Sequence, residues 1–194
     1  MTGLVLLAAG ASTRLGQPKQ QLQFKGKTLL QQAIDTAIHS GCSPVIVVLG
    51  ANAGPIEDEL ENLRVRIIHN SQWQEGMASS IRLGIDELQK AEPAISYVIV
   101  MVCDQPFVDS LLLQQLIEAK KSTGKKIVAS FYNNTAGVPV LFDKSLFPEL
   151  LLLKGQDGAK KLLVKHSEEV ALIPFPLGNI DIDTADDYKA LASL

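Results

Sequence analysis

The 194-residue sequence predicts an α/β fold, a three-layer α/β/α sandwich around a mostly parallel, mixed sheet, formed as one domain over residues 1–194. Three observations predict it. Short runs that are apolar throughout, with no polar alternation, mark strands covered on both faces. Segments with helical spacing separate those runs, as crossovers between parallel strands require. No internal repeat, charge block or low-complexity linker divides the chain.

Residues 4–8, Leu-Val-Leu-Leu-Ala, form the first apolar run. Helical spacing follows over 28–38 and stops at Gly41, a residue that readily ends a helix. Residues 45–49 are again wholly apolar, and a polar helix follows Pro55 over 56–63. A strand at 65–68, a helix at 79–88 and a strand at 98–102 continue the pattern, so that four strands alternate with helices. Beyond a helix at 109–121, strands are expected at 127–131 and 138–142. Pro139 lacks a ladder N–H, which predicts an edge or irregular position and a sheet that becomes mixed there. The tail reads as a helix at 159–166, a strand at 170–173 and a last helix after Thr184.

A chain of this length buries roughly 70% of its unfolded surface and needs no disulfide or metal staple. Cys42 and Cys103 sit beside apolar strands with no metal or Cys-x-x-Cys spacing, which predicts reduced, buried thiols in a cytoplasmic protein. The N-terminus shows no cationic, apolar and cleavable leader, and no apolar run reaches the roughly 18 residues of a membrane span. Neither a membrane nor a nucleic acid is an expected partner. A formal net charge of -3 lacks the basic face that wraps a phosphate backbone, so local cations must do any anion binding. His39, His69 and His166 have no i,i+4 partner or cysteine neighbour, which disfavours zinc chemistry and a Ser-His-Asp triad.

Ligands of such sheets bind beyond the carboxyl ends of the strands. Two segments leave apolar runs there: residues 10–19, and Cys103-Asp104-Gln105-Pro106. The first, Gly-Ala-Ser-Thr-Arg-Leu-Gly-Gln-Pro-Lys, carries two glycines and two cations with no acid between them. Glycine lets backbone N–H groups turn toward an anion without a Cβ in the way, and Arg14 and Lys19 supply charge for a phosphate tail. It is not a Walker loop, because five residues separate Gly10 from Gly16, and Gln17-Pro18 intervenes before Lys19. Nor is it a dinucleotide fingerprint. Ser12 stands where a glycine is needed, and Pro18 arrives where the helix should run.

Leu7-Ala8-Ala9-Gly10-x-Ser12-x-Arg14-x-Gly16-x-Pro18-Lys19 resembles the signature of the nucleotidyltransferases that build molybdenum cofactor dinucleotides, and within them the molybdenum cofactor cytidylyltransferase family. Further matches follow in the family's order: Asn70-x-x-Trp73-x-x-Gly76-Met77-x-x-Ser80-Ile81, Cys103-Asp104-Gln105-Pro106, Gly137-x-Pro139, Gly155-Gln156-Asp157-Gly158-Ala159 and Asp181-Ile182-Asp183-Thr184. The resemblance spans nearly the whole chain. It implies a fold of the nucleotide-diphospho-sugar transferase type and a Mg²⁺-dependent transfer of CMP from CTP to the terminal phosphate of molybdopterin cofactor, with release of pyrophosphate. A molybdoenzyme or its maturation chaperone would then receive the product. The alternatives are transfer from GTP, another phosphorylated acceptor such as a sugar phosphate or isoprenoid-pathway phosphate, and a non-catalytic protein that binds or delivers the cofactor.

Such a transfer brings anion to anion, and two unit charges 4 Å apart repel by about 4 kcal/mol at a surface-like dielectric. Carboxylates that hold a divalent cation must therefore accompany the basic loop. Asp104, at the exit of an apolar strand, is the first candidate, and in the family the matching aspartate holds the metal. Asp183 is the favoured second candidate and Asp181 its alternative, since alternation in a short strand would put both on one side. Arg14, Lys19 and Asp104 are the expected catalytic residues, acting by electrostatics without a protein nucleophile. Nucleotide contacts are expected from Leu7, Ala8, Ala9, Gly10, Arg14, Lys19, Asn70, Gly76 and Ser80. The guanylyl-transferring branch typically has glycine at the position of Ala9, so this methyl favours cytosine over guanine. Trp73 is open between packing and stacking, Ser79 or Ser80 between base contact and helix capping, and the 155–159 turn between an anion site and a plain turn. Thr184 is a candidate N-cap for the last helix. Ala185 replaces the family's usual proline there, which leaves the first turn of that helix less fixed.

Overall fold

The computed structural model describes residues 1–51, 53–57, 60 and 64–192, without the side chains of Pro55 and Ala192. In chain order they form β1 (Thr2–Ala8), β2 (Gln23–Phe24), β3 (Lys27–Thr28), α1 (Leu29–His39), β4 (Val45–Leu49), α2 (Ala53–Glu57), β5 (Arg66–His69) and α3 (Met77–Ala91). There follow β6 (Tyr97–Val102), α4 (Ser110–Thr123), β7 (Ile127–Tyr132), β8 (Thr135–Asp143), α5 (Phe147–Leu150), α6 (Ala159–Lys165), β9 (Val170–Pro174) and α7 (Ala185–Ala192). Local chemistry sets several boundaries. Thr28 and Gln31 close a reciprocal capping box at the start of α1, and the Asp109 carboxylate accepts the Leu112 N–H at the start of α4.

Seven strands form one mixed sheet in the order β5-β4-β1-β6-β8-β7-β9. The strands β5, β4, β1 and β6 are parallel, β8 runs antiparallel to both of its neighbours, and β9 is parallel to β7. Strand side chains alternate between two cores. Leu4, Leu6 and Ala8 pack with α1, α2 and α4, while Val5 and Leu7 pack with α3, α5 and α6. Ala78, Ile81, Ile85 and Leu88 give α3 a continuous buried face, and each such large side chain contributes about 1.5–3 kcal/mol. A third cluster, Leu22, Phe24, Leu29, Ile182 and Leu191, holds the β2–β3 hairpin against the chain terminus. No helix among the described residues is long and apolar enough to cross a membrane.

Two expectations change on inspection, and a third is described only in part. The strand containing Pro139 lies inside the sheet, not at its edge; the irregular position is met instead by a register shift opposite Ala129 and Ser130, where Ser130 Oγ donates to the Pro139 carbonyl. The polar helix after Pro55 is described only over Ala53–Glu57, and residues 58, 59 and 61–63 lie outside the described residues. Residues 181–183 form no sheet strand, yet their burial alternates, with Ile182 fully buried between the exposed Asp181 and the half-buried Asp183.

Topology positions the site. From β1 the chain steps outward to β4 and β5, then returns to β6 on the other flank of β1, which creates the switch point where α/β sheets bind ligands. Leu7 pairs with Val102 and Ala8 with Leu49, so the segments that follow β1, β6 and β4 emerge side by side.

Candidate functional site

After β1 the chain folds into a tight turn in which the Leu15 and Gly16 N–H groups both donate to the Ser12 carbonyl, at 3.0 and 3.2 Å. Gly16 has φ +78°, which suits a residue without a Cβ. Gly10 has no such φ. A Cβ placed on it meets nothing within 4 Å, so its face is open. The Lys19 N–H donates to Ser12 Oγ at 3.0 Å. Beside it, the fully buried Gln20 donates through Nε2 to the Ala8 and Gly10 carbonyls at 2.7 and 3.0 Å. The backbone at Lys19 is thereby fixed on both sides.

The Lys19 ammonium lies 2.6 Å from Asp104 Oδ2 and 2.9 Å from Asp183 Oδ1, and Arg14 Nη2 lies 2.9 Å from Asp183 Oδ2. Asp104 comes directly from β6. Asp183 arrives from far along the chain because the Ile182 N–H donates to the Asp104 carbonyl at 3.0 Å while Ile182 anchors in the third core cluster. Thr184 caps α7 as expected, its hydroxyl oxygen accepting the Asp187 N–H at 3.2 Å. Its hydroxyl and N–H, with the Asp183 N–H, donate to the Asp187 carboxylate, which fixes the turn that a proline would otherwise hold.

Burial acts to lower the Lys19 ammonium pKa, but the Asp104 charge and hydrogen bonds to both aspartates overcome it and hold the group above the ordinary lysine range. The hydrogen bond from Lys19, aided by the Lys19 and Arg14 charges, holds Asp183 below the usual carboxylate range. Asp181 behaves oppositely: burial, then the Asp104 and Asp183 charges, raise it. Of the two nearby aspartates, it is Asp183 that shares the Lys19 ammonium with Asp104. Cys103 also lines the cleft, but burial and the neighbouring Asp104 push its thiol up to about 12, which leaves no thiolate nucleophile at neutral pH.

Arg14, Lys19, Cys103 and Asp104 border a cleft of about 500 Å³, and Asp183 joins it through its bonds to Lys19 and Arg14. Of the expected nucleotide contacts, Leu7, Ala8, Ala9, Gly10, Arg14, Lys19, Gly76 and Ser80 line it, as does Asp104. Asn70 stands behind the wall, buried, where its Nδ2 donates to Ser79 Oγ at 2.8 Å and Ser80 Oγ at 2.9 Å. Ser79 does not cap α3, because Met77 already begins that helix; its hydroxyl donates back to the Gln72 and Gly76 carbonyls. Trp73 lines the cleft while resting on the second core cluster, so it both packs and presents a surface. The 155–159 turn builds wall. The Gly155 carbonyl accepts the Ala78 N–H at 3.1 Å, and Gln156 faces the cleft.

A family model, the MobA-like NTP transferase domain, matches residues 4–170. The chain belongs to this family. A nicotine blue oxidoreductase of Paenarthrobacter nicotinovorans is 32% identical over 96% of this chain and 94% of its own. A molybdenum cofactor cytidylyltransferase of Escherichia coli K12 is 22% identical over 95% of this chain and 92% of its own. Among solved structures, Rv0371c from Mycobacterium tuberculosis H37Rv superposes with a TM-score of 0.86 at 28% identity, covering 100% of this chain and 98% of that one. A manganese complex of Rv0371c superposes at 0.78 and 28% identity, covering 99% and 97%.

In this MobA-like transferase the donor chemistry fits a divalent cation. Asp104 and Asp183 offer hard oxygens that reach a common point, since both bond the same Lys19 nitrogen. Magnesium takes one or two carboxylates and completes its shell with waters and phosphate oxygens. Among the described residues no group of three or more His, Cys, Asp or Glu could hold a metal ion. Sequence reasoning missed Gln20, and it quoted Ser12 and Gln156 within motifs without giving either side chain a role. Gln20 belongs to no spaced pattern, and its importance comes from burial against two carbonyls of the same loop.

Proposed function

We propose that the protein is a divalent-metal-dependent nucleotidyltransferase that transfers CMP from CTP to the terminal phosphate of molybdopterin cofactor and releases pyrophosphate. The observation that carries this reading is the convergence of Lys19, Arg14, Asp104 and Asp183 beside an open glycine loop at the sheet's switch point. A divalent ion, Mg²⁺ in this reading, held by Asp104 and Asp183, would neutralise charge on the triphosphate. Lys19 and Arg14 bind its phosphate oxygens, and Lys19 stabilises charge developing at the α-phosphoryl group. No residue acts as a nucleophile, since the acceptor's own phosphate attacks. The base rests at the neutral end, against Ala8, Ala9, Gly10, Gly76 and Ser80, with Asn70 acting through the Ser80 hydroxyl. Support for a divalent ion comes from the manganese complex of Rv0371c, and support for cytidine from the name of the Escherichia coli relative and the methyl of Ala9. Two buried, unpaired cysteines suit a cytoplasmic setting.

Thermal stabilisation by each ribonucleoside triphosphate, with and without Mg²⁺, tests this directly. A ligand at a hundred times its dissociation constant adds about 2.7 kcal/mol. A Mg²⁺-dependent shift that is largest with CTP, followed by pyrophosphate release with molybdopterin, is expected; a largest shift with GTP moves the reading to guanylyl transfer. A second reading, redox chemistry, is favoured by the 32% identity to the oxidoreductase. Stabilisation by a reduced nicotinamide dinucleotide, with none by any triphosphate, would replace the first reading with the second.

A further inference from the structure

Resting on the nucleotidyltransferase reading, we infer that the site takes up a divalent cation and a triphosphate as one ligand, the metal–triphosphate complex, in exchange for the Lys19 ammonium. Lys19 holds the point that both carboxylates reach, at 2.6 Å from Asp104 Oδ2 and 2.9 Å from Asp183 Oδ1, with its side chain 15% exposed. Asp183 Oδ2 is taken by Arg14. A divalent ion bound by the same oxygens must displace the ammonium.

A hydrated cation that arrives alone brings no anion to receive Lys19. The ammonium is then left part-buried and unpaired a few ångströms from a like charge, a configuration that electrostatics opposes. The metal–triphosphate complex supplies both halves of the exchange, because its metal goes to the carboxylates while its phosphate oxygens receive Lys19 and Arg14. Every charge stays paired. The movement needed is short: Ser12 Oγ and Gln20 hold the backbone on either side of the loop, so only the flexible stem of Lys19 swings. Gly10, where a Cβ would meet nothing within 4 Å, lines the same cleft as Lys19. Linkage then requires that triphosphate raise metal affinity by the same factor as metal raises triphosphate affinity.

The test is a Mn²⁺ titration of the full chain, followed by the electron paramagnetic resonance of free Mn²⁺, without nucleotide and with a non-hydrolysable CTP analogue. Wild-type protein should bind Mn²⁺ weakly alone and strongly with the analogue. Lys19→Met should bind Mn²⁺ alone at least about tenfold tighter than wild type, and adding Asp104→Asn should abolish that gain. Arg14→Met removes an equal charge without freeing the shared point, so it should change Mn²⁺ affinity by much less. Tight Mn²⁺ binding by wild-type protein alone overturns the exchange, and that arm needs no variant to fold. Equal affinities of wild type and Lys19→Met overturn it too, as does an Arg14→Met gain as large as that of Lys19→Met. If Mn²⁺ and CTP together fail to stabilise wild-type protein against heat, the nucleotidyltransferase reading fails with it. If they stabilise it and Lys19→Met shows no gain, the exchange alone fails.

Discussion

The Lys19 end of the cleft and its Ala9–Gly76 end are built by different forces. At the first, two cations and two carboxylates from distant parts of the chain hold one another in a part-buried cluster. At the second, backbone and hydroxyl hydrogen bonds hold a neutral wall, and glycines let it close. A Cβ on Gly50 would meet the Ala9 carbonyl at 2.6 Å, and one on Gly76 would meet the Gly155 carbonyl at 2.4 Å. Charges that satisfy one another can exchange partners when a charged ligand arrives. Backbone packed to contact cannot. Under the proposed function, this difference would put chemistry at the first end and shape selection at the second.

The largest effect should follow a change at the charged end. Asp104→Asn removes the carboxylate but keeps the backbone carbonyl that accepts the Ile182 N–H, so the fold persists. Nucleotidyl transfer should fall about 10³-fold, in line with the loss of a preorganised electrostatic group, while the melting temperature barely moves. A steady-state assay of pyrophosphate release beside a thermal melt measures both. Activity within tenfold of wild type would remove Asp104 from the chemistry.

At the neutral end the corresponding change should act on stability. Gly76 has φ +114° and contacts the Gly155 backbone, so Gly76→Ala combines a strained conformation with a clash. It should cost roughly 3 kcal/mol, read as a lower urea midpoint. A cost below about 0.5 kcal/mol, the level of an ordinary surface change, would show that the wall between residues 76 and 155 is soft.

The same division governed what could be read from residues alone. Apolar runs buried on both faces predict strands whatever their neighbours, so β1, β4, β6 and β7 were legible. The loop's Arg14 and Lys19, and Asp104 at a strand exit, were legible because charge in such places is unusual. Gln20 and Asn70 were not separable from ordinary polar residues. Each matters because burial aims it at particular partners, Ala8 and Gly10 for one, Ser79 and Ser80 for the other. The β2–β3 hairpin escaped notice because its strands span two residues each. Its Lys25-Gly26 turn, with both φ values positive, left only a faint mark in the glycine. That Lys19 bonds Asp183 and not Asp181 needed the third dimension.

A subtler change at the neutral end tests selection itself. Ala9 is nearly buried and lines the cleft, so Ala9→Gly removes one methyl from the wall beside the expected base position. Use of GTP relative to CTP should rise about tenfold, the low end of what one methyl-sized difference discriminates. An unchanged ratio of kcat/KM values would place base selection elsewhere, with Trp73 the next residue to vary.

The smallest effect is that of pH on the charged end. Asp183 is held below the ordinary carboxylate range, chiefly by Lys19, so its pairing stabilises the fold above that range and is lost as pH falls through the lowered value. Lys19 is raised, so its contribution is full below the ordinary lysine pKa and lost only as pH climbs through the raised value. Between the two windows, neutral pH included, Asp183 and Lys19 both keep their charges. Asp183 is a third exposed, and solvent screening keeps its share under about 1 kcal/mol. The difference in melting temperature between wild type and Asp183→Asn should therefore be small and flat near neutrality, and should shrink toward zero below about pH 4. A difference that instead grew in acid would mean that Asp183 is protonated more easily in the folded chain than in the unfolded one, contrary to its place between Lys19 and Arg14.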